Sequence, residues 1–442
     1  LAKKYKKENQ FMTRWYHRQP SYWFTKDRPR QEGWREAPEV FRLDPAPGAT
    51  PSAKPPVRIF LGSEPAQARA ERVFLWSVMR WRDPARAYEV HLMKDLKGFD
   101  RSGWKTGFTN YRYAIPALAG NHGRAIYNDV DQIYLADPAE MFDLDMKGAG
   151  ILCITERDNS VTLIDCDVMA SRWRIEEARK GLRHKHFRDA AYDNGLWGRL
   201  PGEWNARDEE FEAGKSKCFH FTTLQTQPWR PFPDQLRYQP HPEGEVWFAL
   251  ERAADEARFT PFTRERPSAH YSRLLGRNDR APGAPVDLSG ARQDDVAALL
   301  RETGAKTLLD YRPAGSQADP SFAGATVRRR VEAGLPFAAA LVGRYDGVAA
   351  VGVLDRLPED DVAWALNELF ASASRFVYAA VTSDPEAARP ETGAIPAQDP
   401  TWWRMQFELA AQRNPGIRWR LRVEEKGKSH LHDGSASVAI AA

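Results

Sequence analysis

The sequence predicts an α/β protein made of two successive Rossmann-like sheet units, and three observations carry that prediction. Short apolar strands alternate with amphipathic helices from Val57 onward. One strand-like run, Arg124 to Asn128, ends directly on Asp129-Val130-Asp131. A second alternation starts near Asp294, beyond a stretch over 256–290 rich in Arg, Pro and Gly. Strands alternating with helices predict a largely parallel sheet that binds ligands at the strand C-terminal ends.

The elements follow in order. Between Leu1 and Glu36 there are ten Lys/Arg against four Asp/Glu, interleaved with Phe11, Trp15, Tyr16, Tyr22, Trp23, Phe24 and Trp34. Residues 1–43 therefore suit an anionic membrane surface or a protein contact. The Pro/Ala-rich segment Asp44 to Pro56 reads as a linker, so 1–56 stands as an extension plus linker. Residues 57–255 form the first domain. Val57 to Leu61 is a strand; Val73, Phe74, Ser77, Val78 and Trp81 share a helix face; Tyr88 to Leu92 alternates as a strand. Tyr111 to Ala119 reads as a helix and Ile151 to Thr155 as a strand. Residues 256–290 read as a linker and 291–425 as the second domain. Its elements are a helix with Val296, Leu299 and Leu300 on one face, strands Lys306 to Asp310, Val348 to Leu354 and Arg375 to Val381, and a helix from Glu359 to Ala373. Residues 426–442 are polar and small, and predict a flexible tail.

Composition narrows the function. The net charge of +4 over 442 residues predicts no nucleic-acid partner. The three cysteines, Cys153, Cys166 and Cys218, make no disulfide framework. With no apolar run of membrane-spanning length and no apolar signal core, the expectation is a cytoplasmic protein, peripheral at the inner membrane face if the basic extension binds lipid.

Asp129 and Asp131 suit a hard divalent cation such as Mn²⁺ or Mg²⁺, which takes oxygen ligands and can bridge a diphosphate. Around them stand Phe108-Thr109-Asn110-Tyr111-Arg112, Ile59-Phe60-Leu61-Gly62-Ser63-Glu64, Tyr192-Asp193-Asn194-Gly195-Leu196, Leu200-Pro201 through Trp204-Asn205, and Lys217-Cys218-Phe219-His220 followed by Gln227-Pro228-Trp229. In order and spacing, these runs over 57–232 resemble GT-A glycosyltransferases of family eight, the glycogenin- and galactosyltransferase-like group. The resemblance implies a GT-A domain and a retaining transfer from a UDP-sugar or similar donor to a glycan, lipid-linked or protein acceptor. It implies Asp129, Asp131 and His220 as metal ligands. Arg112 is implied near the donor phosphates, Val130 beside the donor, Ser63 and Glu64 near the base and ribose, and Asp193 near the transferred sugar. Two departures stand out. Thr226-Gln227 precedes Pro228-Trp229 where the family has Gly and Lys, so a diphosphate contact would fall to Lys217 or Arg230. Asp193-Asn194 replaces the family's Asp-Gln-Asp.

The second domain carries Thr307-Leu308-Leu309-Asp310-Tyr311, Val351 to Asp361, Arg375 to Ala379, and Trp402-Trp403 with Asn414-Pro415-Gly416. These resemble a class I methyltransferase that uses S-adenosylmethionine (SAM). The glycine loop that lets backbone approach that cofactor is replaced by Arg312-Pro313-Ala314-Gly315. The expectation is a degenerate domain without SAM chemistry, serving dimerisation or acceptor docking. A non-catalytic assembly subunit and a sugar methyltransferase are the competing readings of the whole chain.

Overall fold

The structure, a computed structural model, describes residues 33–101, 106–156, 158–233, 236–276, 291–313, 325–332, 335–383 and 398–435. Residues 1–32 of the basic extension, and Ala314-Gly315 of the altered loop, lie outside the described residues. The chain divides into two compact units, residues 1–254 and 255–442. Both are α/β, as the sequence predicts.

In unit 1 the first strand, β1 (Glu39–Leu43), lies within the expected extension and pairs antiparallel with β3. Strand β2 (Val57–Gly62) leads to helix α1 (Ala68–Trp81), then to β3 (Tyr88–Met93). Helix α1 buries Ala70, Val73, Phe74, Ser77 and Val78, a spacing of three and four residues that puts them on one face. Trp81, expected on that face, is 41% exposed, because the helix ends there beyond the buried turn. The expected helix Tyr111 to Ala119 is instead a 3₁₀ turn, Thr109–Ala114, followed by a single α turn, α2 (Ile115–Leu118). Pro116 lacks the N–H that would continue an α ladder back through this stretch.

Next come β4 (Arg124–Asp129), β5 (Gln132–Tyr134), α3 (Pro138–Phe142), β6 (Ile151–Cys153) and β7 (Val161–Asp165). After these come α4 (Cys166–Met169), α5 (Ile175–Arg179), α6 (His184–Tyr192), β8 (Trp197–Arg199), β9 (Ala206–Arg207), β10 (Cys218–His220) and α7 (Gly244–Glu256). Seven strands form one sheet in the order β1-β3-β2-β4-β7-β6-β8. Strands β3, β2 and β4 are mutually parallel, whereas β7 runs antiparallel to β4. The start of β7 therefore lies beside the end of β4. A small sheet, β5-β10-β9, sets His220 of β10 opposite Gln132 of β5 and Arg207 of β9.

Unit 2 opens with α8 (Ala269–Leu275), inside the stretch read as a linker, and continues with α9 (Ala291–Thr303). Strands β11 (Thr307–Pro313), β12 (Thr326–Glu332) and β13 (Tyr345–Val351) follow, then α10 (Glu359–Ser372), β14 (Ala373–Thr382), α11 (Pro400–Gln412), β15 (Arg418–Glu425) and β16 (Lys428–Ser435). The sheet order is β12-β11-β13-β14-β15-β16, parallel except for β16. The order reverses between β11 and β13, so their C-terminal ends form the switch point of the sheet. Near-continuous burial of β13 and β14 is what a parallel strand covered on both faces requires. Of the tail expected to fray, the described part is not free: Lys428 turns back through Gly427, and β16 pairs with β15 from Glu425↔Lys428 to Arg418↔Ser435, while 436–442 lie outside the described residues. Among the described residues no helix is long and apolar enough to cross a membrane.

Helix α8 is tied in by a buried carboxyl. Ser268 caps the helix by accepting the Tyr271 N–H. Its own N–H and hydroxyl bond Asp361 at 3.0 and 2.5 Å, and the Trp364 indole donates to the same carboxyl at 2.8 Å. Burial pushes the Asp361 pKa up to about 7 against these hydrogen bonds. The folded state thus holds a proton that the unfolded chain releases near pH 4, so the contribution of Asp361 to stability is fully present below pH 4. It falls by about 1.4 kcal/mol per pH unit until pH 7. Asp361→Asn is expected to abolish this slope. Urea unfolding at about pH 4.5 and 7.5 checks it, with the wild type losing more stability than the variant by on the order of 3 kcal/mol.

Candidate metal centre

The ends of β4 and β10 bring three ligating side chains together. Asp129, the last residue of β4, pairs with Gly62 at the end of β2. Asp131 follows two residues later, and its carbonyl accepts the Phe221 N–H at 2.9 Å, which fixes β10 against it. One ligand atom from each of Asp129, Asp131 and His220 lies within 4.8 Å of the others.

Each ligand is oriented from outside the cluster. His220 Nδ1 bonds Asn205 Oδ1 at 2.8 Å, so the amide oxygen holds the proton there and leaves Nε2 for the centre. Nε2 stands 3.2 Å from Asp131 Oδ1. That oxygen is buried without a hydrogen-bond partner among the described residues, so the pair is close yet not aligned for a hydrogen bond. Asp131 Oδ2 accepts Gln227 Nε2 at 3.3 Å. Asp129 Oδ1 accepts Arg112 Nη2 at 2.9 Å and also the Tyr127 hydroxyl. Tyr127 reaches it because residues two apart on a strand share a face. A side chain at Gly62 would destroy this arrangement, since its Cβ would lie 2.6 Å from the Tyr127 hydroxyl and 2.4 Å from the Phe108 ring.

Arg112 is a clamp more than a free cation. Nε donates to Thr109 O at 3.0 Å, Nη1 to Asn159 O and Oδ1 at 2.8 Å each, and Nη2 to Asp129. Its guanidinium stacks 4.3 Å from the Tyr127 ring centroid. Four of the five N–H donors of an arginine are thereby used. Few remain for donor phosphates, the role the resemblance implies, and Nη2 is spent on the Asp129 carboxylate.

Electrostatics follow from burial and crowding. Burial raises the Asp129 pKa above the usual carboxylate value, the Asp131 charge adds to this, and Arg112 opposes it. Burial alone would lower the His220 pKa, but the carboxylates of Asp131, Asp129 and Asp158 outweigh it and raise the imidazole. Positive charge is thus favoured at the centre of the cluster. Two carboxylates, one of them with an unpartnered buried oxygen, and an imidazole nitrogen that becomes a ligand on losing its proton fit a divalent cation of the Mn²⁺ or Mg²⁺ kind.

The other expected residues spread more widely. Val130 is buried, and its N–H donates to Gly62 O at 3.0 Å. Ser63 follows Gly62, and its buried hydroxyl has no partner among the described residues. Glu64 accepts the Gly107 N–H. Lys217 does not join the cluster. It pairs with Glu140 at 2.8 Å and Glu203 at 3.7 Å, about 10 Å along β10 from His220. Asp193 also stands apart, exposed at the C-terminal end of α6.

Tyr127, Asp158, Asn159, Asn205 and Gln227 shape the site without having been singled out as site residues from the sequence. The alternation of β4 signals Tyr127 from Asp129, and Asn205 and Gln227 lie inside recognised runs. Asp158 and Asn159 belong to the loop before β7, which carries no motif. Replacing Asn205 with Leu is expected to weaken Mn²⁺ affinity by roughly 10–100-fold, whereas Asn205→Asp, which keeps the acceptor, retains it. Calorimetric Mn²⁺ titration of the two variants checks this.

No family model matches the chain, and no curated protein sequence matches it. Among the solved structures with some likeness in fold are glycosyltransferases. One is the apo structure of WbbM, a bifunctional glycosyltransferase, at 12% identity and TM-score 0.31 over 46% of this chain and 53% of that one. The chain thus spans about half the length of WbbM. A second is the galactosyltransferase LgtC in complex with donor and acceptor sugar analogues, at 12% identity and TM-score 0.31, over 44% of this chain and 95% of that one. A third is apo GlyE of Streptococcus pneumoniae TIGR4, at 13% identity and TM-score 0.34, over 74% and 91%.

Proposed function

We propose that unit 1 is a metal-dependent glycosyltransferase that takes a nucleotide-sugar donor, a UDP-sugar, and transfers the sugar with retention to a glycan, lipid-linked or protein acceptor. The observation that carries this reading is the Asp129–Asp131–His220 cluster at the C-terminal side of parallel strands, with a buried, unpartnered Asp131 oxygen at its centre. Asp129, Asp131 and His220 hold Mn²⁺ or Mg²⁺. When bound, that cation offsets the charge that develops on a departing diphosphate. The protein's own groups do the rest: Arg112 and Tyr127 fix Asp129, Asn205 fixes His220, and Gln227 fixes Asp131. Ser63 and Glu64, at the end of β2, face the nucleotide. The protein works in the cytoplasm. Its N-terminal extension, residues 1–43, contacts an anionic membrane face or a protein partner.

Unit 2 is read as a methyltransferase-like domain without SAM chemistry. At the end of β11, Asp310 and Arg312 form a fully buried ion pair where a permissive glycine loop would admit that cofactor. The domain serves self-association or acceptor docking.

A second reading, a non-catalytic subunit, draws on the engagement of Arg112 with Asp129 and of Lys217 with Glu140 and Glu203. Calorimetric titration of UDP with and without Mn²⁺ separates the two. Binding that requires Mn²⁺ is expected. Absence of binding for UDP, GDP, CMP and dTDP alike would end the enzyme reading.

A further inference from the structure

Positive charge is concentrated in one stretch of unit 1. Residues 172–197 hold seven Arg/Lys, all of them within 172–188, against Glu176, Glu177, Asp189 and Asp193, a net +3 in a chain whose total charge is only +4. The segment is anchored by its apolar residues. Trp173, Ala178 and Phe187 are buried in the core, and the Trp173 indole donates to Phe187 O at 3.0 Å. Its charged residues are thereby turned outward: Arg172, Lys180, Arg183 and Lys185 are exposed. Some are partly neutralised, as Arg174 by Glu176, Lys185 by Asp189 and His186 by Glu177. The side chains of Arg172, Lys180 and Arg188 have no hydrogen-bond or ion-pair partner among the described residues.

The segment is connected to the candidate metal centre by a chain of contacts. The Asp100 N–H donates to Arg179 O at 2.8 Å, and Asn110 Nδ2 to Ala178 O at 3.3 Å. His184 bonds the Tyr113 hydroxyl, which accepts Asn159 Nδ2 at 3.0 Å. Asn159 in turn holds Arg112, the residue that clamps Asp129. At the other end of α6, Tyr192 is 50% exposed and lies 6.4 Å, centroid to centroid, from Trp197. The exposed Tyr192 ring, with Arg188 one helical turn before it, suits a ligand with both an apolar face and negative charge.

We propose that residues 172–197 form the acceptor-docking surface, and that the acceptor is an anionic glycan bearing carboxylate or sulfate groups. The assignment rests on the glycosyl-transfer reading of the metal centre. A bilayer surface fits less well, because a membrane-binding helix presents its apolar face to lipid. Here that face is spent on the core.

The test uses the full chain and a fluorescein-labelled oligogalacturonate, a carboxylated glycan, followed by anisotropy in about 50 mM salt. Neutral dextran, duplex DNA and phosphatidylglycerol vesicles are the comparison probes. Oligogalacturonate is expected to bind in preference to all three and to weaken as salt rises. The double variant Arg172→Glu/Lys180→Glu should lose at least about tenfold in affinity, and Arg172→Gln/Lys180→Gln an intermediate amount. Mn²⁺-dependent UDP titration of each variant shows that the fold and donor site are intact. Equal binding of dextran, tighter binding of DNA or vesicles, or an unchanged double variant would overturn the docking surface. Loss of the UDP isotherm in the wild type would instead overturn the reading it rests on, and the anisotropy series would still decide the surface.

Discussion

Asp131→Asn is expected to weaken Mn²⁺ binding by roughly a hundredfold or more, about 3 kcal/mol, and to remove Mn²⁺-dependent UDP binding with it. The substitution takes away one negative charge and one ligand oxygen while keeping size and shape. It also relieves the mutual repulsion of Asp131 and the buried Asp129 carboxyl. The metal-free variant should therefore be no less stable than the wild type, and gains where an unpartnered buried oxygen was a cost. That combination, intact stability with lost metal affinity, separates a ligand from a structural carboxylate. Unchanged Mn²⁺ affinity would show that no cation is held there. In the wild type, Mn²⁺ affinity should also fall with pH. The raised His220 pKa makes protons compete for Nε2 before an ordinary histidine would.

The second large effect is expected in unit 2. Asp310 and Arg312 are both 0% exposed and face the same side of β11. Nε of Arg312 donates to both carboxylate oxygens, at 2.8 and 2.9 Å. Arg312→Met leaves the Asp310 charge buried without its cation, which costs about 3–5 kcal/mol. The double variant Asp310→Leu/Arg312→Met removes both charges and should be more stable than Arg312→Met alone. Arg312 Nη1, buried without a partner, is one cost the wild type already carries. Urea unfolding of the wild type, Asp310→Leu, Arg312→Met and the double variant closes the cycle. A double variant as weak as the single one would mean that packing, not charge, is what Arg312 supplies.

The sequence made the long periodic elements legible and left the short ones obscure. Helix α1 and strands β2, β3, β4, β13 and β14 carry enough residues for a period to show. Strands β5, β8 and β10 have three residues each, too few for alternation to register, whereas β6, equally short, shows as the apolar run Ile151 to Thr155 and stops at Cys153. β7, Val161–Asp165, is a short apolar run without a motif, and its antiparallel pairing with both β4 and β6 makes the first sheet more mixed than the largely parallel one expected. At the site, Asp129, Asp131 and His220 could be read because their chemistry is specific and their runs are ordered. Lys217 misled because a cation near a motif says nothing of its partners, and here two glutamates claim it. Asp193 was named from a motif, but the described structure places it at an exposed helix end. Asn159 could not be named at all, since only the reversal of β7 brings its loop to the end of β4.

The hydrogen bond between Gln227 and Asp131 spans 96 residues of chain, and His220 reaches the aspartates across nearly as long a loop. A cation at that point closes a large circuit of backbone, one that forms only when the whole of unit 1 is folded. Affinity for the ion and resistance to melting are then two readings of one equilibrium. At a hundred times its dissociation constant, a cation that ignores the unfolded chain adds about 2.7 kcal/mol. A thermal scan with and without Mn²⁺ should therefore move the transition of unit 1 upward by several degrees, and leave that of unit 2 where it was.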